Sequence, residues 1–300
     1  MRCSGQKTAE RASDNLPPSM NPGRTRHVAT FSQGATRDLL WLLPLGAALL
    51  GLYQYGRVLT EPVLILVGAT SALLIGFGSF LRVRLRRRAW LDAYVASASP
   101  LQRWLRGGVL LLALRLLVAM FLAAMLIVGT LRLHAPNEHL ILLAALPLLA
   151  LIHHGAAALL ARHVSAVYLP EAAWRVAMPL TFVLLAGGLT VTALWRPGPD
   201  FRLVSLENAV WYLAVREQAA SPVLEQLLQG AAALEGLRWW LAQQVLPRLE
   251  LPLLEGLGWV LVLLQNALLV WAWLHCCAGI MLFRALLGGN PPEGSHDTRH

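Results

Sequence analysis

The sequence predicts an all-α fold: a polytopic bundle of six transmembrane helices, with an amphipathic helical segment outside the membrane between the fifth and sixth spans. Of its 300 residues, 57% are hydrophobic and only 14% are charged, whereas a soluble domain usually carries about 25% charged residues. The charges are clustered, and between the clusters lie apolar runs of roughly 20 residues, the length that crosses a bilayer as a helix. The arginines flank these runs, as topology signals do.

Five of the apolar runs form a predicted membrane region, residues 39–195, which follows a polar tail, residues 1–38, of a composition typical of disorder. The sixth run lies in a separate span, residues 257–284, followed by a second short tail, residues 285–300. The predicted spans are Leu39–Leu59, Pro62–Leu81, Gly108–Leu131, Leu140–Ala161, Val176–Trp195 and Gly258–Phe283.

The second span carries small residues at intervals of four: Gly68, Ala72 and Gly76. Residues four apart share one face of a helix, and small side chains on that face let a second helix approach closely. The stripe therefore predicts a helix-packing face.

A basic loop, residues 82–107, follows the second span and is predicted to lie on the cytoplasmic face as a partly amphipathic segment. Basic residues at this position attract the anionic lipids of the inner leaflet. The arginines predicted to face lipid are Arg82, Arg84, Arg86, Arg87 and Arg88.

Residues 196–256 differ in composition from the spans and are predicted to form external helices. Ser205 is suited to cap a short helix, Leu206–Gln218, and Ser221 followed by Pro222 has the residue types preferred at a helix start. An apolar stripe at helical spacing then predicts an amphipathic helix that lies on the membrane surface. Its members are Leu224, Leu227, Leu228, Ala231, Leu234, Leu237 and Leu241.

The distribution of basic residues predicts that both termini are cytoplasmic. With this orientation the inside segments hold 17 Lys and Arg residues, and the short outside loops hold only Arg57 and Arg132, as the positive-inside rule requires. We therefore expect a location in the plasma (inner) membrane of a bacterium. The net charge of +9 is explained by these flanking arginines, so nucleic acid is not an expected partner.

Four polar residues fall at similar depth in the cytoplasmic half of the predicted spans: Arg115, His153, His154 and His275. One hypothesis is that the histidines bind haem or a transition metal, with Cys276 as a further ligand and Arg115 paired with a propionate or an anionic substrate. The alternative, which we favour, is that the histidines hydrogen-bond between helices and Arg115 extends to the membrane interface. No acidic residue lies within any predicted span, so a carboxylate proton relay is not expected.

The sequence leaves three functional hypotheses. The first is a non-catalytic subunit, scaffold or regulator that works in the bilayer through other membrane proteins or further copies of itself, with no cofactor and no catalytic residue. The second is a transporter or channel, favoured by the proline-containing spans and by the amides Gln265 and Asn266 in the sixth span. The third is a haem- or metal-binding redox protein that uses His153 or His154 together with His275.

Overall fold

The computed structural model describes residues 22–94, 109–133, 135–165, 168–195, 198–245 and 252–288, and within these ranges the chain is helical and contains no β-strand. The helices are α1 (Pro22–Tyr55), α2 (Glu61–Tyr94), α3 (Val109–Leu131), α4 (Pro136–Leu160), α5 (Leu169–Leu194), α6 (Leu206–Ala214), α7 (Pro222–Trp240) and α8 (Pro252–Gly288).

Six of these helices, α1 to α5 and α8, are long and apolar enough to cross a membrane. Their order along the chain agrees with the six predicted spans. The apolar side chains between them form one continuous core that draws on all six helices. We call these six helices the six-helix body.

The first helix begins earlier than predicted, because part of the expected tail, residues 22–38, is helical. Proline is favoured at the first position of a helix, and Pro22 stands there. Residues 1–21 lie outside the described residues. The membrane-compatible part of α1 runs from Gly34 to Val58 and includes Asp38. The prediction that no span holds an acidic residue is therefore wrong, and the carboxylate is tolerated because Asp38 is buried in an ion pair.

The second helix does not end at Leu81 but continues through the basic run to Tyr94. The chain has no proline or glycine between Gly78 and Tyr94, and arginine, leucine and alanine are good helix formers. The side chains of Arg84, Arg86, Arg87 and Arg88, and residues 95–107 of the predicted loop, lie outside the described residues, so their contact with anionic lipid stays a prediction.

The last helix, α8, is the central one, since it packs against all five other helices of the six-helix body. In its apolar window 56% of the residues are buried, compared with 22–33% in the other five helices. Its closest approach is to α2, where two glycines meet. A Cβ added at Gly78 would lie 2.8 Å from the Cα of Gly279, and one added at Gly279 would lie 2.2 Å from the carbonyl oxygen of Leu74.

The small-residue stripe of α2 packs against α3, as predicted. Ala72 is buried, and a Cβ added at Gly76 would lie 3.3 Å from the Cβ of Ala119. One added at Gly68 would lie 3.6 Å from the Cδ1 of Ile127. The stripe therefore sets the distance between the two helices along about two turns.

Helices α6 and α7 pack against each other, and we call the pair the hairpin. Both predicted caps are confirmed: the Ser205 hydroxyl accepts from the amide of Asn208, and the Ser221 hydroxyl accepts from the amide of Leu224. The hairpin is joined to the ends of α2 and α3 through a small apolar cluster. Its buried members are Leu64, Ile127, Val128, Leu131, Leu224 and Leu228.

Only part of the predicted apolar stripe of α7 packs inside the protein, and its contact with a membrane surface stays a prediction. Leu224 and Leu228 are buried, but Leu227 is 43% exposed and Leu234 is 67% exposed. The buried face of α7 continues instead through Ala232 and Gly236. Gly236 determines which face of α7 is buried, because α6 approaches closely at this position. A Cβ added at Gly236 would lie 2.6 Å from the carbonyl oxygen of Ala209.

Candidate functional site

Polar side chains with charges or ring nitrogens gather at the two ends of the six-helix body. One end, which we call the histidine end, contains Asp38, Arg82, His153, His154, His275 and Arg284 from helices α1, α2, α4 and α8. The other, which we call the hairpin end, contains Arg57, Arg132, Glu138 and Asn266 together with the charged residues of the hairpin.

Asp38 joins three helices at the histidine end. Its Oδ2 lies 2.7 Å from the Nε2 of His154 on α4, and its Oδ1 forms an ion pair with Arg284 on α8. An ionised carboxylate only accepts hydrogen bonds, so His154 donates the proton on Nε2 to it. Asp38 was not predicted as a site residue, because it precedes the apolar run and is 116 residues away from its histidine partner.

His153 packs against Trp174 of α5, with the two ring centroids 4.4 Å apart. Its ring lies 5.5 Å from that of His154, nearly perpendicular to it. Both ring nitrogens of His153 are buried and make no hydrogen bond with any residue that the structure describes. A buried polar group without a partner costs about 1–3 kcal/mol, so this imidazole has an unused capacity to accept or donate.

One potential metal-ligand atom from each of Asp38, His153 and His154 lies within 4.8 Å of the others. The structure thus brings together two of the predicted ligands, and adds a carboxylate that the sequence argument had excluded. His275 and Cys276 do not belong to this group. Cys276 is fully buried among the apolar residues of the core.

His275 bonds to Arg82 instead. A guanidinium nitrogen of Arg82 lies 3.1 Å from the Nδ1 of His275, and the Nε of Arg82 donates to the carbonyl oxygen of Gly78. The guanidinium also lies over the ring of Trp174, 5.7 Å from its centroid. Arg82 is only 6% exposed, because α8 presents a ring nitrogen of His275 to its guanidinium. Contact of Arg82 with lipid head groups stays a prediction.

Arg115 of α3 is half-buried and lies close enough to His275 for its charge to act on the imidazole. It therefore belongs to the surroundings of the Arg82–His275 pair. Its extension to the membrane interface stays a prediction.

At the hairpin end, Arg132 holds the hairpin against the six-helix body. One nitrogen of its guanidinium donates to Glu217 at 2.8 Å and to the carbonyl oxygen of Leu228 at 3.3 Å, and another pairs with Glu235. Glu217 also forms an ion pair with Arg57 at 2.9 Å. Sequence reasoning treated these residues as loop charges, because the pairs join positions 85 to 160 residues apart.

A cavity of about 530 Å³ lies between the hairpin and the six-helix body. Asn266 and Leu269 of α8 form part of its wall, and Tyr212 and Trp239 of the hairpin add aromatic surface. The charged residues that line it are Arg132, Glu138, Arg216, Glu217, Glu235 and Arg238. No known protein family, curated protein or solved structure matches the chain.

The cavity is lined by three arginines and three glutamates, so its charges balance at neutral pH. Burial lowers the pKa of Arg238, while the nearby Glu235 carboxylate opposes this effect and Arg132 adds to it. This arrangement brings both signs of charge to the wall of the cavity.

Proposed function

We propose that this chain is a multi-pass protein of the plasma (inner) membrane that works as a non-catalytic regulator or subunit and binds a small polar solute in the cavity at the hairpin end. The observation that carries this proposal is the cavity itself, which is roofed by a hairpin that Arg132 ties to the six-helix body through Glu217 and Glu235. Its volume falls within the range of about 300–1,000 Å³ that is usual for ligand sites.

The same proposal includes a topology, in which the six long helices form a transmembrane bundle with both termini in the cytoplasm. The excess of arginine in the segments next to the histidine end supports this orientation. The hairpin end then faces the outside, and the cavity receives a solute from the external medium. The hairpin is the part of the protein best placed to contact external partners.

The proposed ligand is zwitterionic, such as a free amino acid or a betaine. Most of the carboxylates and guanidinium groups that line the cavity are paired with one another. A zwitterion can exchange part of these pairs for contacts at both of its ends and adds no net charge, whereas a lone anion or cation would bring an unbalanced charge into the cavity. The rings of Tyr212 and Trp239 already carry the guanidinium groups of Arg216 and Arg238, 4.0 Å and 5.7 Å from the ring centroids. The aromatic surface therefore holds two cations at the cavity wall, where they can meet the carboxylate end of the ligand.

Helix α8 connects the cavity wall to the histidine end of the protein. Asn266 and Leu269 line the cavity, and His275, nine residues after Asn266 on the same helix, bonds to Arg82. Nine residues span about 13 Å of helix. A solute that shifts α8 would therefore alter contacts at the cytoplasmic end, which is the behaviour expected of a regulator.

Solute binding is tested with the detergent-purified full chain, by isothermal titration with glycine betaine and with a mixture of free amino acids. Glucose, a neutral solute of similar size, serves as the comparison. Ala193→Phe on α5 fills the cavity, because Ala193 is part of its wall, and should abolish binding. Val191→Phe, on the exposed face of the same helix, should leave it unchanged. If no zwitterion binds, or if Ala193→Phe binds as well as the parent, the proposal fails.

A transporter is the second candidate, favoured by the same continuity of α8 between the cavity and the histidine end. Between the two, the described core is closed by Trp273, whose indole nitrogen donates to the carbonyl oxygen of Leu142. A transporter must open this contact in each cycle. Uptake of a labelled zwitterion into sealed proteoliposomes would favour this candidate, and binding without uptake would favour the regulator.

A further inference from the structure

We propose that Asp38, His153 and His154 bind a divalent transition-metal ion of the Zn²⁺ class at the histidine end. This site is separate from the solute cavity, which lies at the opposite end of the six-helix body, and it does not depend on the function proposed for that cavity.

The first support is geometry. Ligand atoms from the three side chains lie within 4.8 Å of one another. Zinc binds imidazole nitrogens and carboxylate oxygens at about 2.0–2.2 Å, so the ligand atoms of a tetrahedral site are about 3.4 Å apart. Asp38 and His154 are already closer than this, at 2.7 Å. The set is completed when the more distant ligand atoms approach by up to about 1.4 Å and those of Asp38 and His154 separate by about 0.7 Å.

The second support is the condition of His153. Both of its ring nitrogens are buried and make no hydrogen bond, although buried polar groups are almost always satisfied. Coordination of a metal by one nitrogen removes this cost. No other described histidine has both ring nitrogens in this condition.

The surroundings hold the rings in place, as the neighbours of metal ligands commonly do. Trp174 packs on the ring of His153. Gly34 leaves room for His154, since a Cβ at this position would lie 2.8 Å from the Cε1 of its ring. Arg284 orients the carboxylate of Asp38 through the oxygen that His154 does not use.

Binding replaces the proton that His154 donates to Asp38. The Nε2 of His154 becomes a ligand when its proton moves to Nδ1, and the Oδ2 of Asp38 is then released to bind the ion. The step moves one proton within the imidazole of His154 and needs no oxidant or reductant. The charge of Arg284 opposes the incoming cation, so the site is expected to be weaker than one without an arginine.

Two imidazoles and one carboxylate favour Zn²⁺ or Co²⁺ over Mg²⁺ or Ca²⁺, which prefer sets made of oxygen alone. Three protein ligands leave a fourth position for water or for a group supplied by a partner. Because Asp38 lies on α1 and both histidines lie on α4, the ion would fasten the start of the first helix to the fourth. Whether the metal site is occupied would then depend on the concentration of the ion at that face of the protein.

The experiment uses the detergent-purified full chain, stripped of metal with a chelator and dialysed against Zn²⁺, with bound metal measured by mass spectrometry. His153→Ala is the decisive variant, because this imidazole makes no hydrogen bond whose loss would disturb folding. We expect His153→Ala and His154→Ala to bind one equivalent fewer than the parent, or at least tenfold more weakly. His163→Ala, an exposed histidine just after α4, is the matched control and should bind as the parent does.

Co²⁺ provides a second readout, since its visible bands report coordination by nitrogen and oxygen and should vanish in His153→Ala. Melting temperatures measured without metal establish that each variant is folded. The proposal is overturned if the parent binds no Zn²⁺, or if His153→Ala retains the equivalent. Loss of the equivalent in His275→Ala, with His153→Ala unaffected, also overturns it and points to a site around His275.

Discussion

The guanidinium of Arg82 and the imidazole of His275 lie 3.1 Å apart and join α2 to α8. An arginine has no acceptor atom, so the Nδ1 of His275 accepts and its proton resides on Nε2. Arg82 lies four residues after Gly78 on α2, and His275 lies four residues before Gly279 on α8, so the pair is close to the point where the two glycines meet. Arg82, the first arginine of the basic run, thus makes its contacts in the interior of the protein.

Replacing Arg82 with methionine should lower the free energy of unfolding by about 2 kcal/mol, because hydrogen bonds to charged groups contribute about 1.5–3 kcal/mol. The measurement is reversible unfolding of the purified protein in mixed detergent and SDS. Arg175→Met is the control, since the side chain of Arg175 is 63% exposed and its ion pair with Glu171, at 3.8 Å, is long. Equal losses in the two variants would contradict a structural role for Arg82.

Hydropathy predicted the number and order of the long helices, because a run of apolar residues is a local property of the chain. Helix ends were predicted less well where polar residues continue a helix, as at Asp38 in α1 and after Leu81 in α2. The caps Ser205 and Ser221 were found because capping depends on residues two or three positions away. The buried face of α7 includes Gly236 because α6 packs there. The periodicity of α7 alone therefore did not predict which of its faces is buried.

Gly279→Ala should destabilise the protein by about 1–3 kcal/mol, the usual cost of overpacking. The added Cβ would lie 2.2 Å from the carbonyl oxygen of Leu74, and backbone cannot move aside as a side chain does. Gly155→Ala is the matched control, because nothing lies within 4 Å of its added Cβ. Alanine is the better helix former by about 1 kcal/mol, so the control should be neutral or slightly stabilising in the same SDS titration. A neutral Gly279→Ala would mean that α2 and α8 are not in close contact.

Arg132→Gln should release the hairpin. The substitution removes the cation shared by the buried Glu217 and the half-buried Glu235, which keep only Arg57 and Arg238 as partners. Because breaking a fully buried pair costs about 3–5 kcal/mol, we expect a smaller loss here. Hydrogen exchange should become faster across α6 and α7 while the cores of α4 and α8 stay protected. Arg216→Gln should change little, because Arg216 is exposed. Unchanged exchange in Arg132→Gln would show that the apolar contacts of Leu224 and Leu228 suffice to hold the hairpin.

The candidate sites were harder to predict than the helices, for a physical reason. Depth in a span identified His153, His154 and His275 as residues that need partners, but it does not say which way a side chain points. His275 contacts Arg82 instead. The residue that lies beside the other two histidines is Asp38. The partners of Arg132 are equally distant in sequence. Long-range pairs of this kind leave no periodic signal, so only the packed structure reveals them.

Topology is tested by reporter fusions. We expect external readings after positions 60, 135 and 225, and internal readings after 95, 168 and 295, because the short-loop arginine bias favours the histidine end in the cytoplasm. Two reporters of opposite compartment preference at each position provide the control. An internal reading at 225 would reverse the orientation and would make the cavity a receptor for a cytoplasmic solute.

Arg284→Gln should tighten Zn²⁺ binding at the histidine end by at least about tenfold. The arginine shares the carboxylate of Asp38 with the proposed ion, and two like charges a few ångströms apart repel by several kcal/mol at an effective dielectric constant of about 20. Removing the charge also leaves Asp38 with one partner fewer, so the metal-free variant should melt at a lower temperature than the parent. Added Zn²⁺ should then raise its melting temperature by more than it raises that of the parent, since stabilisation grows with the ratio of ligand to dissociation constant. Arg284→Lys keeps the positive charge and should bind Zn²⁺ as the parent does, which separates the effect of charge from that of shape. If Arg284→Gln binds Zn²⁺ more weakly, the arginine acts mainly by orienting Asp38, and the electrostatic account of the site is wrong.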